Sequence, residues 1–578
     1  MDSDFYIGPW LVQPGLNTVS AQTDSIRLEP KVMQVLTCLA EHAGEVVPKE
    51  RLMHAVWADT FVTEDVLTRA ISALRRVFCD NAKAPRIIET LPKTGYRLIA
   101  AISPALPRSL RITTLLVLPF ANGSGDPEAN YLSDGITDCL INALSLFPHL
   151  KVVARSTAFR FKGTDRVPVA IGRELGVNAV VTGKVTQWDG KISVQADLVN
   201  ATTGFQIWGQ RWIRPLGNLL SLPEELVRDI SENLKVQVNG EQQKRLGHQP
   251  TAKPEAYHLY LKARYLWHQG TEESIRKARQ LFEEAVRCDP GYALAYAGLA
   301  DCHSALACQL DYAAVPPRDA APLAGAAAHR ALELDGKLAA GHSALASVLR
   351  DYHWDWGSAE REFRTAIALN PNYPKAHQSY ADLLVALSRF DEALAQIEAA
   401  HEMDPFSVTI NHDMGFILYL ARDYEQAAKR LRLTAELRPD YIPARTLLSF
   451  VLERTGRPRE ASEEYDRALA LSQGKEVPMA ALGRVYSAGG RDQLLGGLEQ
   501  LRSMASHRYV PACWFAAVYT RLGEGHLALD WMEKAEEERS NWLIYLRADP
   551  LFDGLRSEPR FEQLAGRVGL PSPRITHT

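Results

Sequence analysis

The chain has 578 residues, with 65 lysines and arginines against 69 aspartates and glutamates, a net charge of −4. A hydrophobic share of 46% and a charged share of 23% belong to a folded protein and exclude a disordered or collagenous chain. At roughly 100–200 residues per domain the length predicts three or four domains. The seven cysteines are odd in number and contain no C-x-x-C pair, which predicts buried thiols in a reducing compartment, not a disulfide frame or a zinc site. The opening MDSDFYIGPW has no basic region before an apolar stretch, so it does not read as a secretory signal. The best apolar stretch, Leu98 to Phe120, is broken by Pro104, Pro107, Arg108 and Arg111, short of the roughly 20 apolar residues a membrane span needs. A cytoplasmic protein without a membrane segment is expected.

The first hundred residues begin with short alternating segments, Phe5–Ile7, Trp10–Val12 and Ile26–Leu28. An amphipathic helix is predicted from Pro30 to His42, with Val32, Val35, Leu36 and Leu39 on one face; proline is tolerated in a first helical turn. Pro48 opens a second helix carrying Leu52, Val56 and Trp57. Thr63 precedes a third, Glu64 to Phe78, whose core face is Leu67, Ala70, Ile71, Leu74 and Phe78. Arg86–Thr90, a turn at Pro92–Gly95 and Tyr96–Ile99 read as a β-hairpin. From Arg69 to Arg97 there are seven basic residues and two acidic ones, whereas residues 1–100 hold 11 basic and 12 acidic. Charge is therefore segregated, as expected where one face meets phosphates.

Strands, three helices and a terminal hairpin make a winged helix-turn-helix. The residues Leu28-Glu29-Pro30-Lys31, Val47-Pro48-Lys49-Glu50-Arg51-Leu52, Val66 to Arg76, Ile88-Glu89-Thr90 and Gly95-Tyr96-Arg97-Leu98 resemble the OmpR/PhoB-type output domain. That resemblance implies base contacts from Thr68, Arg69, Ser72 and Ala73 and phosphate contacts from Arg75, Arg76 and Thr90. It sends a wing of Lys93, Thr94, Tyr96 and Arg97 toward the minor groove or backbone. Ala73 departs from the pattern, since many relatives carry arginine there.

After a proline-interrupted linker, Ser103–Ser109, the stretch Leu115–Phe120 reads as a buried strand. Helices are predicted at Ser133–Phe147 and Pro168–Leu175, and strands at Val152-Val153, Ala179–Gly183, Lys191–Val199 and Gly204–Trp212. These make an α/β sheet ending in a meander. The residues Val117–Phe120, Leu132–Ile136, Leu150–Arg155 and Gly176–Gly183 resemble a TolB-like domain. Asn122-Gly123-Ser124-Gly125-Asp126 lacks the spacing of a phosphate loop and reads as a flexible surface loop. Asp134 reads as a cap or loop acid. No Ser/His/Asp set, metal cluster or carboxylate pair stands out, and no cofactor is expected.

From about residue 254 the chain repeats itself. A small residue, a bulky residue four further on, a small residue three beyond it and a proline five beyond that recur as Ala278/Phe282/Ala285/Pro290, Ala359/Phe363/Ala366/Pro371, Ala393/Ile397/Ala400/Pro405 and Ala427/Leu431/Thr434/Pro439. Weaker copies begin at Ala324, Ala461, Leu494 and Ala528. Small residues let two helices approach, the bulky one fills the groove, and proline stops the second helix. The period resembles the 34-residue tetratricopeptide repeat. Asp311–Asp319 reads as a loop insertion and Asp549–Phe561 as a terminal cap. Tyr292, Tyr296, Trp354, Trp356 and Trp514 read as packing residues.

The expected architecture is multidomain: a winged helix over 1–102, a TolB-like α/β domain over 110–245 and an all-α repeat solenoid over 254–572. The order resembles CadC-like one-component bacterial regulators. It implies a sequence-specific DNA-binding transcriptional regulator without a receiver domain, not an enzyme. The expected partners are double-stranded DNA, a second copy on that DNA, and a protein or peptide in the repeat groove. The alternative is a repeat scaffold whose winged helix does not bind DNA. A cyclase-type enzyme would need a further catalytic domain with paired metal-binding aspartates, and only about 100 residues precede the middle segment.

Overall fold

The computed structural model describes residues 4–21, 24–58, 62–104, 112–147, 149–234, 251–308, 314–471 and 491–572. The chain divides into two compact units, Met1–Ile112 and Thr113–Thr578. In the first, β1 (Phe5–Ile7), β2 (Trp10–Gln13), β3 (Thr18–Ala21) and β4 (Asp24–Arg27) precede α1 (Pro30–Glu41), β5 (Val46–Pro48), α2 (Lys49–Trp57) and α3 (Glu64–Val77). The hairpin β6 (Ile88–Leu91) and β7 (Gly95–Leu98) and the strand β8 (Ile102–Pro104) complete it. One antiparallel sheet runs β4-β3-β2-β1-β8 and a second runs β5-β7-β6.

The helices form because their apolar positions recur at helical spacing and close on one core. Val35, Leu36 and Leu39 of α1, Leu52 of α2, and Leu67, Ile71 and Leu74 of α3 are buried with Ile88 and Leu98 of the hairpin. Gly95 is required by packing: a Cβ there would stand 2.0 Å from the Val47 carbonyl oxygen across the β5–β7 pair. Ser103 and Pro104 belong to β8, not to a linker, because they pair with Tyr6 and Phe5. That partner is distant in sequence and leaves no local pattern. Residues 105–109 of the expected linker lie outside the described residues.

The second unit opens with β9 (Thr114–Val117), β10 (Ala121–Asn122), α4 (Asn130–Leu144), β11 (Lys151–Val152), α5 (Arg155–Phe159) and α6 (Pro168–Glu174). The strands β12 (Ala179–Trp188), β13 (Lys191–Asn200) and β14 (Gln206–Pro215) and the helix α7 (Leu222–Asn233) follow. The sheet order is β11-β9-β12-β13-β14, parallel around β9 and an antiparallel meander beyond β12. Asp134 is neither cap nor loop. It sits inside α4, 4% exposed, with Lys162 Nζ 2.7 Å away. The 122–126 segment spends its polar groups on itself: Asn122 Nδ2 donates to the Asp126 carbonyl at 2.7 Å, and Asp126 caps the following turn.

Paired helices then take over: α8 (Pro254–Trp267) with α9 (Glu272–Cys288), α10 (Ala293–Ala307) with α11 (Pro317–Leu334), α12 (Ala339–Val348) with α13 (Trp356–Leu369), and α14 (Pro374–Ala386) with α15 (Phe390–Met403). Next come α16 (Val408–Leu420) with α17 (Tyr424–Leu437), α18 (Ile442–Arg454) with α19 (Pro458–Leu471), then α20 (Arg491–Ala505), and α21 (Ala512–Leu522) with α22 (Gly525–Glu537). The helices α9, α13, α15 and α17 each end two residues before Pro290, Pro371, Pro405 and Pro439. The repeating triads are buried throughout, from Ala278, Phe282 and Ala285 to Ala528, Met532 and Ala535. Close approach also needs glycine opposite the bulky member: a Cβ on Gly298 would lie 2.5 Å from the Phe282 ring. Tyr292, Trp354 and Trp514 are buried, and Tyr296 and Trp356 are half-buried. In the expected insertion, residues 311–313 lie outside the described residues, and Pro317 already begins α11.

The first helices of successive pairs pack on one another and form the inner face of the array. The chain occupies that face itself. Residues Asn541–Leu555 return along it: Tyr545 meets Phe416 edge-on at 5.1 Å, the Tyr419 hydroxyl donates to Asp549 Oδ1 at 3.2 Å, and Arg454 donates to the Pro550 carbonyl at 3.0 Å. Only the last helix, α23 (Pro559–Arg567), acts as an end cap, with Arg560 and Arg567 paired to Glu533 and Glu536 of α22. The α/β body docks on the array as well, through Ser156 and Thr157 to Asp404, through Asn372 to the Ser145 carbonyl at 2.9 Å, and through Arg160 over the Phe406 ring at 4.0 Å.

Candidate nucleic-acid interface

The third helix presents two faces. Leu67, Ala70, Ile71, Leu74 and Val77 turn inward, while Thr68, Arg69, Ser72 and Arg76 stand exposed on one outer strip. The Thr68 hydroxyl donates to the Glu64 carbonyl at 3.1 Å and the Ser72 hydroxyl to the Thr68 carbonyl at 2.8 Å. Each hydroxyl has a single proton, so these two side chains offer outward acceptors, not donors. Arg69 and Arg76 supply the donors. Neither takes part in an ion pair among the described residues.

The hairpin supplies the second part. Thr90, Lys93 and Thr94 are exposed, and Lys93 holds a left-handed φ of 67° at the turn. Lys83 and Arg86, in the loop between α3 and the hairpin, are exposed as well. Five cations, Arg69, Arg76, Lys83, Arg86 and Lys93, thus stand without a carboxylate partner among the described residues.

Four expected contacts are placed differently. Tyr96 is a core residue, 5% exposed, because the β7 pleat turns it toward the helices; it is not part of the wing surface. Arg97 is half-buried and paired with Glu89 across the hairpin at 2.5 Å, so its charge is spent within the wing. Ala73 sits at the rim of the strip, half-buried against the core, and offers a methyl group at most. Arg75 is drawn to the hairpin, where its Nη2 donates to the Ile88 carbonyl at 2.9 Å and to the Thr90 hydroxyl at 2.7 Å.

Three supporting residues carry no local sequence signal. Asp80 accepts from the backbone N–H groups of Arg86, Ile87 and Ile88 at 2.8, 3.3 and 2.9 Å. Burial alone would raise its carboxyl, but these amides and Arg75 outweigh that and hold it below the ordinary carboxylate range. Lys49 pairs with Glu64 at 2.6 Å, fixing the start of α2 to the start of α3. Lys31 donates to the Val56 carbonyl at 2.5 Å, closing the C-terminal turn of α2. The result is a rigid helix and wing with a cationic outer surface, the arrangement that lets a helix enter the major groove while flanking groups hold phosphates.

Residues 22–98 match the family described as transcriptional regulatory protein, C terminal. A putative adenylate cyclase 3 of Rhizobium meliloti is 35% identical over 196 residues, 34% of this chain and 33% of its own length. The transcriptional activator CadC of Escherichia coli is 38% identical over 97 residues, 17% of this chain and 19% of its own. The transcriptional regulator HilA of Salmonella typhimurium is 25% identical over 430 residues, 73% of this chain and 74% of its own. The chain thus spans a third and a fifth of the first two relatives and about three quarters of the third. Among the described residues no helix is long and apolar enough to cross a membrane, and no group of three metal-ligating side chains converges. Residues 22–98 of the N-terminal unit thus form an OmpR-type winged-helix domain of the kind found in transcriptional regulatory proteins, and the second unit carries tetratricopeptide-like helical repeats.

Proposed function

We propose that the protein is a sequence-specific DNA-binding transcriptional regulator. It reads its operator with the outer strip of α3 and transmits signals through the second unit without catalysis of its own. The observation that carries this is the strip Thr68, Arg69, Ser72 and Arg76, flanked by unpaired Lys83, Arg86 and Lys93, on a helix whose other face is locked into the core. Arg69, near the start of the strip, suits bidentate donation to guanine, and the Thr68 and Ser72 oxygens suit acceptance from adenine or cytosine amino groups. Arg76, Lys83, Arg86 and Lys93 suit phosphates. Binding as a homodimer would set two such helices on half-sites about one helical turn apart. The reading further places the protein in the cytoplasm, with the repeats as its protein-interaction surface and the α/β body as a TolB-like sensing element.

Selection of binding sites from random duplex DNA with the full chain, repeated with Arg69→Ala, tests the reading. A defined site that the wild type selects and the variant loses is the expected result. If no site is enriched at moderate salt, the DNA-binding reading fails and an interaction scaffold remains.

A further inference from the structure

Between the α/β body and the inner face of the repeats lies a cleft of about 830 Å³, within the size range of small-molecule sites. Its wall is charged, and its buried carboxylates are all engaged. Asp138 accepts from Arg264 at 3.0 Å, Asp301 pairs with Lys375 at 2.6 Å, and Asp351 and Asp382 share Arg350. Asp413 accepts from Gln378 at 2.6 Å, and Asp404 accepts from Ser156 and Thr157. Glu402 stands at the exposed rim.

The donors are not all engaged. Arg155 and Arg438 each keep a buried Nε without a hydrogen-bond partner. The Arg155 Nε stands 3.5 Å from Asp138 Oδ1, an ion pair without hydrogen-bond geometry, its guanidinium lies 3.8 Å over the Phe159 ring, and Arg438 stacks 4.4 Å over Tyr441. Lys151, exposed on the same wall, makes no ion pair among the described residues.

The surplus gathers at one pole, the C-terminal turn of α8. Arg264 and Arg155 flank Asp138 there, Lys375 sits 5.5 Å from the centre of the Trp267 ring, and Arg438 Nη1 stands 4.0 Å from where a Cβ on Gly270 would be. Four cations, with Lys162 behind them, thus face three carboxylates, Asp134, Asp138 and Asp301. Burial, reinforced by Arg155 and Arg264, holds His268 down at about 3, so its imidazole is neutral and adds no charge. Burial also pulls the Arg155 guanidinium downward despite Asp138, as expected for a cation whose surroundings under-compensate it. Buried charge without a matched partner is costly, and guanidinium forks match oxyanions in geometry as well as in charge.

We propose that this pole is a binding site for a small doubly charged oxyanion, a phosphate ester or a dicarboxylate, held by Arg155 and Arg438 with Lys151 at the entrance. The binding does not rest on the DNA-binding reading, because it is measured without DNA.

Full-length protein in a chloride buffer of fixed ionic strength is titrated calorimetrically with inorganic phosphate, with succinate and with putrescine. Saturable binding of phosphate or succinate is expected, weakened at least tenfold in both Arg155→Gln and Arg438→Gln while circular dichroism stays that of the wild type. Phosphate without succinate assigns a phosphate ester, and the reverse assigns a dicarboxylate. Lys151→Gln, on the surface, is expected to weaken the same binding severalfold and decides the matter should either arginine variant fail to fold. The proposal is overturned if neither anion saturates, if only putrescine does, or if affinity is unchanged in the folded variants.

Discussion

Arg75 Nη2 donates to the Thr90 hydroxyl at 2.7 Å and to the Ile88 carbonyl at 2.9 Å, so one guanidinium ties the recognition helix to the wing. Both residues were expected to grip phosphate. The geometry makes Arg75 a strut, with Thr90 as its acceptor. Hydrogen bonds from charged groups contribute about 1.5–3 kcal/mol when well shielded, and this half-buried one is expected to contribute about 1 kcal/mol. Arg75→Ala should speed amide hydrogen exchange across Ile88–Leu91 and lower affinity for specific and unrelated duplexes together. Arg75→Lys should restore part of it, because both bonds leave from the single Nη2 and an ammonium also carries several donors on one nitrogen. Unchanged exchange in that strand would refute the strut.

Arg69 and Arg76 should separate by the kind of loss they cause. Arg69 sits where base edges would lie, so Arg69→Ala should relax preference at one base pair by about 1–3 kcal/mol. Arg76 sits one turn beyond Ser72, toward the backbone. Arg76→Ala should weaken all sequences alike and reduce the slope of log affinity against log salt by about one. Binding titrations at several salt concentrations on a selected site and a single-base variant distinguish the two, and equal effects on both duplexes from Arg69→Ala would remove it from base readout.

Asp80 sets an acid limb for the same unit. Its folded carboxyl lies below the unfolded value of about 3.9, so its ionised form favours the folded state. That stability is fully present above about pH 4 and is lost as pH falls through the folded value. Exchange of the Arg86, Ile87 and Ile88 amides should therefore accelerate in acid more than that of neighbouring amides. Asp80→Ala should show the fast exchange already at neutral pH, with no further acid step.

What the sequence displays is what depends on near neighbours. The helices of the winged unit follow from Val32, Val35, Leu36 and Leu39 or from Leu67, Ile71 and Leu74, and each repeat follows from its own triad and proline. The exposed strip of α3 is legible as the complement of its core face. The direction of Arg75, the burial of Tyr96 and the Arg97–Glu89 pair are not, because they depend on how the hairpin lies against the helix. The occupied inner face of the repeats is less legible still. Its contacts join Ser156 and Thr157 to Asp404, and Tyr419 to Asp549, across spans where no periodicity operates.

Asp404 anchors one part of the docked α/β body, another part resting on α8 through the Asp138–Arg264 pair. Asp404 is 6% exposed, accepts from the Ser156 hydroxyl and from Thr157 Oγ1 at 2.9 Å, and has no ion-pair partner among the described residues. Burial pushes its carboxyl upward, against the two hydroxyls that favour the ionised form. An acid whose folded value exceeds its unfolded one is penalised as it ionises, so the docking contributes most below about pH 4 and loses stability as pH rises from there through the folded value. Asp404→Asn keeps an acceptor without the charge and should hold the α/β body at least as firmly at neutral pH. Asp404→Ala leaves two shielded hydroxyls without an acceptor, a cost of about 1–3 kcal/mol. It should raise hydrogen exchange in Arg155–Phe159 while Phe390–Met403 keeps its protection. If alanine and asparagine behave alike, the carboxylate oxygens are not what hold the two parts together.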